Sequence, residues 1–208
     1  ERLCGGWAPV DPGPRIPVPQ LHTGRAARVL ERFRQQAVLI AFPSAPASHP
    51  LDETAEAAAA ILGGVNSRFY WNIMQKGLSQ RAGVFREEFA DTGLLTMFAL
   101  CEPENIEKVY EAMRTEARRL VEDGPEEKEL QRVKNLRRTS LAIESEAPYY
   151  RLGQIADDVD YLGRPRTTQE RLAEVDAISR ESIAEYFRTF PITGEGMVVG
   201  VGPRAWPE

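Results

Sequence analysis

The sequence predicts an α+β fold in which a mostly antiparallel sheet of about five strands packs against helices. Short apolar runs of strand length come in neighbouring pairs that are separated by turn residues. Longer stretches with apolar residues at helical spacing are concentrated in the second half of the chain. Because strands and helices do not alternate strictly, this order favours α+β over a doubly wound α/β sheet. With 208 residues, 42% of them hydrophobic, the chain is long enough to bury a core.

The chain is predicted to divide into an arm and a domain. Residues 1–24 contain five prolines and no apolar period, so we expect them to form an extended arm or an interdomain linker. Residues 25–208 then form the α+β domain. The chain begins without methionine, which indicates a piece excised from a longer protein.

The strands follow from apolar alternation and from continuous apolar runs. Residues 27–33 (ARVLERF) alternate, whereas residues 36–42 (QAVLIAF) form the continuous run that is typical of a central strand. Residues 82–89 and 93–100 lie on either side of an Asp-Thr-Gly turn and predict a hairpin. The valine-rich residues 194–203 predict a last strand.

Two helices are predicted between the second strand and the hairpin. Asp52 is placed to cap the first, which runs through an alanine-rich stretch and ends at Gly63–Gly64. The second is expected over residues 68–76, with Asn66 or Ser67 as its cap. The glycine pair follows a helix and matches neither a P-loop nor a dinucleotide-binding loop. It is therefore predicted to join two helices and to bind no phosphate.

The helices of the second half follow from their period and their caps. Pro103 opens a long amphipathic helix, and Pro125 is placed to be the first residue of the next. A further helix is expected over Tyr149–Tyr161, and Thr167 and Ser179 should cap two short ones. The predicted inward-facing residues are Ile106, Val109, Met113, Ala117, Leu120, Leu130, Val133, Leu136, Leu141, Ile183, Tyr186 and Phe187.

The chain is not expected to hold a catalytic metal. A zinc site on a helix needs two histidines one turn apart, whereas His22 and His49 lie 27 positions apart and outside any helical pattern. Cys4 and Cys101 are interpreted as free thiols, and Cys101 as a buried thiol at a strand end, because no base lies near it in sequence. A self-sufficient hydrolase that uses Cys101 as its nucleophile remains the alternative.

The charged clusters are interpreted as solvated surfaces. The net charge is −5 and the signs are mixed, so no nucleic-acid partner is implied, and the basic run at 132–138 is expected to be a solvated face. Asp158 and Asp160 resemble a calcium loop, but Gln169 stands where such a loop needs glutamate, which favours a solvated helix end. The longest apolar runs are about nine residues, whereas a membrane span needs roughly 20.

Several segments of the chain together resemble a known protein family. Residues 61–78, ILGGVNSRFYWNIMQKGL, resemble the helix–Gly-Gly–Ser-Arg–helix segment in the C-terminal-type domain of the pitrilysin/insulinase/mitochondrial processing peptidase metallopeptidases. Similar short motifs follow in the family's order at residues 103–105, 129–134, 162–165 and 201–203. The resemblance covers about residues 25–203.

The resemblance implies a division of labour between two domains. Members of this family are built from similar α+β halves that face each other across a chamber. One half carries an inverted zinc motif, His-x-x-Glu-His, and the other is zinc-free and helps to enclose a peptide. The resemblance therefore implies that this chain binds no cofactor, that zinc belongs to a partner half-domain or subunit, and that the substrate is a peptide. It also implies that residues 1–24 connect to a preceding active half.

The resemblance further implies candidate substrate-facing residues, although no catalytic or metal-binding ones. Ser67 and Arg68 belong to the shared segment. The zinc-free half usually presents an Arg in the second helix and a Tyr just after the Gly-Leu. These two positions fall on Met74 and on Gln80 or Arg81. Because both contacts are substituted, a non-enzymatic interaction or scaffold domain derived from the family is the alternative function.

Overall fold

The computed structural model describes residues 5–8 and 21–207, which form a five-stranded sheet and six α-helices. The strands are β1 (Gly24–Val29), β2 (Gln36–Ser44), β3 (Arg81–Glu88), β4 (Gly93–Cys101) and β5 (Met197–Gly202). They are ordered β1-β5-β2-β4-β3, with β1 parallel to β5 and the other neighbouring pairs antiparallel. The predicted α+β class with a mostly antiparallel sheet is confirmed. Most of the predicted arm lies outside the described residues, and Gly24 already belongs to β1.

The helices are concentrated after the hairpin, as predicted. They are α1 (Asp52–Gly63), α2 (Ile106–Asp123), α3 (Glu127–Glu146), α4 (Pro148–Leu162), α5 (Thr168–Ala177) and α6 (Arg180–Thr189). Thr167 and Ser179 cap α5 and α6 through reciprocal capping boxes. The predicted second helix is a short turn that continues as a π-helical turn, Tyr70–Met74. None of the helices in the described residues is long and apolar enough to cross a membrane.

One face of the sheet carries the core. Because side chains alternate along a strand, Val38, Ile40 and Phe42 of β2 point to the same side as Leu95 and Met97 of β4. All five are at most 3% exposed. They pack against the inward sides of the helices, which include Ile61, Leu62, Ile106, Val109, Met113, Leu120, Ile183 and Tyr186. Burying each large apolar side chain stabilises the fold by about 1.5–3 kcal/mol.

The opposite face of the sheet, called the open face below, carries apolar side chains outside that core. They are only half-buried, and none of them belongs to the core cluster. They are Ala37, Leu39 and Ala41 of β2, Leu94, Phe98 and Leu100 of β4, and Met197, Val199 and Val201 of β5. The register places Leu39 between Val199 and Phe98, so the apolar surface is continuous across three strands.

Several expected boundaries are wrong in detail. Asp52 does not cap α1: it is the first helical residue, and its carboxylate forms an ion pair with Arg86 of β3. The helix after α2 does not begin at Pro125, because Glu126 caps it through a capping box. Leu136 is 49% exposed instead of inward, since other positions of α3 face the core. The first strand ends at Val29, because the chain then turns toward β2.

Two members of the charged clusters, Arg137 and Asp158, are bound within the fold and are not simply solvated. Within the basic run, Arg137 donates two hydrogen bonds to Glu53 of α1, at 2.7 and 2.9 Å. Asp158 is only 2% exposed. Its carboxylate accepts a hydrogen bond from the Arg166 N–H at 2.8 Å and lies 2.7 Å from the Arg171 guanidinium. Asp158 is therefore a buried anchor between α4 and the start of α5, which corrects the prediction of a solvated helix end.

Gly63, the last residue of α1, provides the first test. A Cβ at this position would lie 1.9 Å from the backbone nitrogen of Val84, so alanine would push α1 away from β3. We expect Gly63→Ala to lower the free energy of unfolding by about 3 kcal/mol, the upper end of overpacking costs. The measurement is urea denaturation followed by circular dichroism.

Gly153 in α4 is the matched control. A Cβ there meets nothing within 4 Å. Gly153→Ala should raise the free energy of unfolding by roughly 0.5–1 kcal/mol, because alanine is the better helix former. If Gly63→Ala and Gly153→Ala changed the free energy of unfolding equally, the close approach of α1 to β3 would be contradicted.

Candidate functional site

The Gly-Gly junction is held by local hydrogen bonds. The Ser67 side chain is buried, and its hydroxyl accepts a hydrogen bond from the Tyr70 N–H at 3.2 Å, so Ser67 caps the turn that follows. Asn66 adopts a positive φ of 53°, which asparagine tolerates better than most residues. The hydroxyl of Ser67 is therefore engaged within the fold.

Arg68 joins this junction to α3. Its guanidinium donates two hydrogen bonds of 2.8 Å to the Glu129 carboxylate and one of 3.0 Å to the carbonyl of Gly124. The two charged side chains are only 12% and 14% exposed. Burial works to raise the pKa of Glu129, but hydrogen bonds from Arg68 and from the Glu126 N–H more than offset it and hold that pKa below its usual range.

A groove of about 550 Å³ lies beside this ion pair. Trp71, 55% exposed, lines it, and so does Arg132, which donates to the carbonyl of Val65. Nη2 of Arg132 is buried and has no hydrogen-bond partner within the described part of the chain. Ser67 and Arg68 also line the groove, but their polar atoms are bound to the protein. The groove therefore offers an aromatic wall at Trp71 and a buried donor of Arg132 that no described group satisfies.

Met74 lies in neither a groove nor a polar cluster that the structure describes. It is the last residue of the π-helical turn, and its half-buried side chain packs against the hydrophobic core. The position at which the resemblance implied an arginine is thus occupied by a packing residue.

Gln80 and Arg81 lie at the beginning of β3, at one end of the sheet. The Gln80 side chain accepts a hydrogen bond from Gln35 at 2.6 Å and donates one to Glu102 at 3.2 Å. Arg81 lies on the open face, where its guanidinium is 5.8 Å from the centre of the Phe98 ring. Both side chains are exposed, and Arg81 forms no ion pair with a carboxylate of the described residues.

A second groove, which we call the end groove, occupies this end of the open face. Its cavity volume is about 620 Å³. Its floor consists of Ala37, Leu100 and Val201, and the turn between β1 and β2 forms its wall with residues 32–35. This groove was not predicted from the sequence. The signal that could have indicated it is the tripeptide Arg-Phe-Arg at residues 32–34, in the turn that follows the first strand.

The structure therefore separates the five predicted substrate-facing residues. Ser67 and Arg68 line the groove at the Gly-Gly junction. Gln80 lines the end groove, Arg81 lies beside it opposite Leu100, and Met74 packs against the core. Their contact with a peptide stays a prediction.

The histidines and acids that the structure describes do not fit a zinc site. Within residues 5–8 and 21–207, no three His, Cys, Asp or Glu side chains gather closely enough to hold a metal ion. Nδ1 of His49 accepts a hydrogen bond from the Leu51 N–H at 3.1 Å, and the ring meets the Phe190 ring edge-on at 5.3 Å. His49 thus serves the structure of its loop, and His22 is exposed just before β1.

Cys101 is a buried thiol. It ends β4, is 0% exposed, and lies 3.7 Å from the carbonyl oxygen of Gln36. Burial raises the pKa of Cys101 to about 11, and the charge of Glu102 adds to the effect. The thiol is therefore protonated at neutral pH, which argues against its use as a nucleophile.

Comparison with known proteins gives a family match. The family described as peptidase M16 inactive domain matches residues 1–137. Two curated relatives are zinc proteases described as uncharacterized. One, from Rickettsia felis, is 24% identical over 169 residues, which cover 80% of this chain and 41% of that protein. YmxG from Bacillus subtilis is 22% identical over 185 residues, which cover 88% of this chain and 45% of that protein.

A solved structure has the same fold. A peptidase M16 inactive domain from Pseudomonas fluorescens superposes with a TM-score of 0.74 at 16% identity, over 91% of this chain and 45% of that one. The present chain thus spans less than half the length of each of these proteins.

The Arg68–Glu129 ion pair can be tested by substitution. Arg68→Leu should lower the free energy of unfolding by about 3 kcal/mol near neutral pH, because Glu129 would keep its charge in a nearly dry site without its partner. Because the pKa of Glu129 is depressed in the folded state, the pair stabilises above the ordinary carboxyl pKa and is lost as the pH falls through the depressed value. The free energies of unfolding of the unsubstituted chain and of Arg68→Leu, measured by urea denaturation, should therefore become more similar as the pH is lowered.

The control is an ion pair on the surface. Arg164 and Glu170 are 2.9 Å apart, with side chains 62% and 42% exposed. Arg164→Leu should change the unfolding curve little, because exposed pairs contribute little. If Arg68→Leu lowers the free energy of unfolding by the same amount at neutral and at acid pH, the role given to Glu129 is wrong.

Proposed function

This chain belongs to the family of peptidase M16 inactive domains, and on that premise we propose that it is the zinc-free half of a zinc-dependent metallopeptidase. In this role it closes a peptide-binding chamber over a zinc-bearing half, which lies on the same polypeptide or on another subunit. Zinc, the general base and the attacking water belong to that other half. The present chain binds and orients the peptide and excludes water.

The observation that carries this proposal is the open face of the sheet. Its side chains, such as Leu39, Phe98 and Val199, are apolar and only half-buried, although they form one continuous surface. Contiguous apolar surfaces of this kind mark interaction or binding sites. The relatives are more than twice as long as the part this chain matches, which supports a second half as the structure that encloses the open face.

A helix supplies the contact between the halves in this proposal. Leu152, Ile155, Val159 and Leu162 lie three or four positions apart on α4 and form what we call the α4 stripe. Their exposed fractions are 65%, 36%, 49% and 36%. A helix normally turns such a stripe toward a core, yet the α4 stripe faces outward. We assign the zinc-bearing half as its partner, because more than half of each matched relative lies outside the part that this chain matches.

A scaffold role is the second candidate. Met74 favours it, because this residue packs against the core where the resemblance implied an arginine that reaches the substrate. In that case the domain would keep the interface with its partner half and would have lost its contacts with the peptide.

Reconstitution tests the proposal directly. The 208-residue chain alone, supplied with zinc, should leave a library of quenched fluorescent peptides uncut. The same chain together with a half that carries His-x-x-Glu-His, encoded beside it or in the same gene, should cut some of them, and a chelator should stop the cleavage. A partner half that cuts equally well without this chain would favour the scaffold role. Chelator-sensitive cleavage by the chain alone would contradict both roles.

The α4 stripe gives a separate prediction. Leu152→Glu should weaken association with the zinc-bearing half by roughly tenfold or more, because a buried unpaired carboxylate is strongly disfavoured. Val65→Glu is the matched control, since Val65 is 70% exposed but lies outside the stripe. The measurement is analytical ultracentrifugation of the mixed halves. Equal weakening by both substitutions, or by neither, would contradict the assignment of the stripe.

A further inference from the structure

We propose that the end groove binds an acidic segment of a peptide, with its carboxylates on the arginines around the groove and its apolar side chains on the floor. This inference rests on the proposed function, because the open face is then the wall of a peptide chamber. It goes further by naming the class of peptide that this half selects.

The first step is the unequal pairing of arginines in this structure. Arg68, Arg137 and Arg166 each hold a carboxylate at 2.7–2.9 Å. In contrast, four arginines near the end groove form no ion pair with any carboxylate of the described residues. They are Arg28, Arg32, Arg34 and Arg81, and all four are exposed. Two of them make cation–π contacts, Arg32 with Phe33 and Arg81 with Phe98.

The second step is the position of these arginines in the sheet. On the open face, Arg28 of β1 is opposite Val201, and Arg81 of β3 is opposite Leu100. Both partners belong to the floor of the end groove, so one arginine lies at each side of the floor. The turn between β1 and β2 closes the end with Arg32 and Arg34. The groove thus has an apolar floor and positive charge on three sides.

The third step is the balance of charge. Glu31 follows β1 in the turn, and Glu102 lines the groove but already accepts a hydrogen bond from Gln80. The four arginines therefore outnumber the nearby carboxylates, although the whole chain has a net charge of −5. Guanidinium groups pair well with carboxylates, through two parallel hydrogen bonds. A local positive site on an acidic protein favours short acidic ligands.

The same arrangement favours a peptide over a nucleic acid. The floor residues Ala37, Leu100 and Val201 suit aliphatic side chains, which alternate with acidic ones along an extended peptide. A nucleic acid would need phosphate contacts along a longer basic track. Beyond the groove it would meet a protein surface with more acidic than basic residues.

The experiment uses the 208-residue chain and a labelled peptide of about ten residues, roughly 33 Å when extended. The peptide alternates leucine with glutamate, and its neutral counterpart carries glutamine in place of glutamate. Fluorescence anisotropy should show the acidic peptide binding about tenfold more tightly, and this preference should shrink as salt screens the charges. Equal affinity for the two peptides would overturn the proposal.

Charge-reversed variants locate the site. Arg32→Glu combined with Arg34→Glu should abolish the preference for the acidic peptide. Arg118→Glu combined with Arg188→Glu is the matched control. Both arginines are exposed, lie on α2 and α6, and form no ion pair within the described residues. This control changes the net charge equally and should keep the preference. If the control loses the preference too, or the groove variant keeps it, the proposal is wrong.

The milder pair Arg32→Gln with Arg34→Gln, checked by circular dichroism, guards against misfolding and should lose most of the preference. A single-stranded oligonucleotide of equal length that competes as well as the acidic peptide would also overturn the proposal.

The reconstitution assay separates this inference from the proposed function. Cleavage that shows no preference for acidic peptides would contradict the inference and leave the zinc-free-half role intact. Selective binding of the acidic peptide with no cleavage on reconstitution would contradict that role and support the groove assignment.

Discussion

The constraint on which the rest of the structure depends is that the core of the described residues packs against only one face of the sheet. Val38 and Ile40 of β2 are fully buried among the helices, whereas Leu39, between them, is half-buried on the open face. Strand alternation makes this division strict, because a shift of one residue would exchange the two faces. The core of the described residues therefore lies on one side of β2, β4 and β5, and the apolar side chains on the other side remain outside it.

Buried charges fasten the helices to the sheet and to one another on the covered side. Arg86 of β3, with a side chain 1% exposed, pairs with Asp52 at the beginning of α1, and Arg137 of α3 pairs with Glu53 in the same turn. A buried guanidinium needs a carboxylate nearby, because desolvation is costly without one. These pairs bring acidic residues to the covered side. The arginines around the end groove stay in solvent, where an unpaired charge costs little.

The predictable part of the fold is the part that depends on local pattern. The caps at Thr167 and Ser179, the hairpin, and the inward faces of α2 and α6 follow from short-range spacing. The ion pairs join residues that lie far apart, such as Arg68 and Glu129, and no local pattern indicates them. Asp158 was misjudged for this reason, since its partner Arg171 belongs to the next helix. The end groove arises from sheet register, which brings Arg28 and Arg81 to opposite sides of one floor.

Because the two faces of the sheet are separate, a residue on the open face can change while the packing on the covered side stays the same. On β5, Gly200 and Gly202 point to the covered side, where a Cβ would lie 1.8 Å from the carbonyl oxygen of Trp206 and 2.3 Å from the Gln36 side chain. These positions allow little change. Val199 and Val201 alternate with these glycines and point to the open face. Other apolar residues would fit there without disturbing the core.

Met74 stands where the resemblance implied an arginine. This difference removes one hydrogen-bond donor and leaves the floor of the end groove unaltered. In the proposed role, the open face and its bordering arginines would govern binding, and the packing of the helices would set only the position of that face.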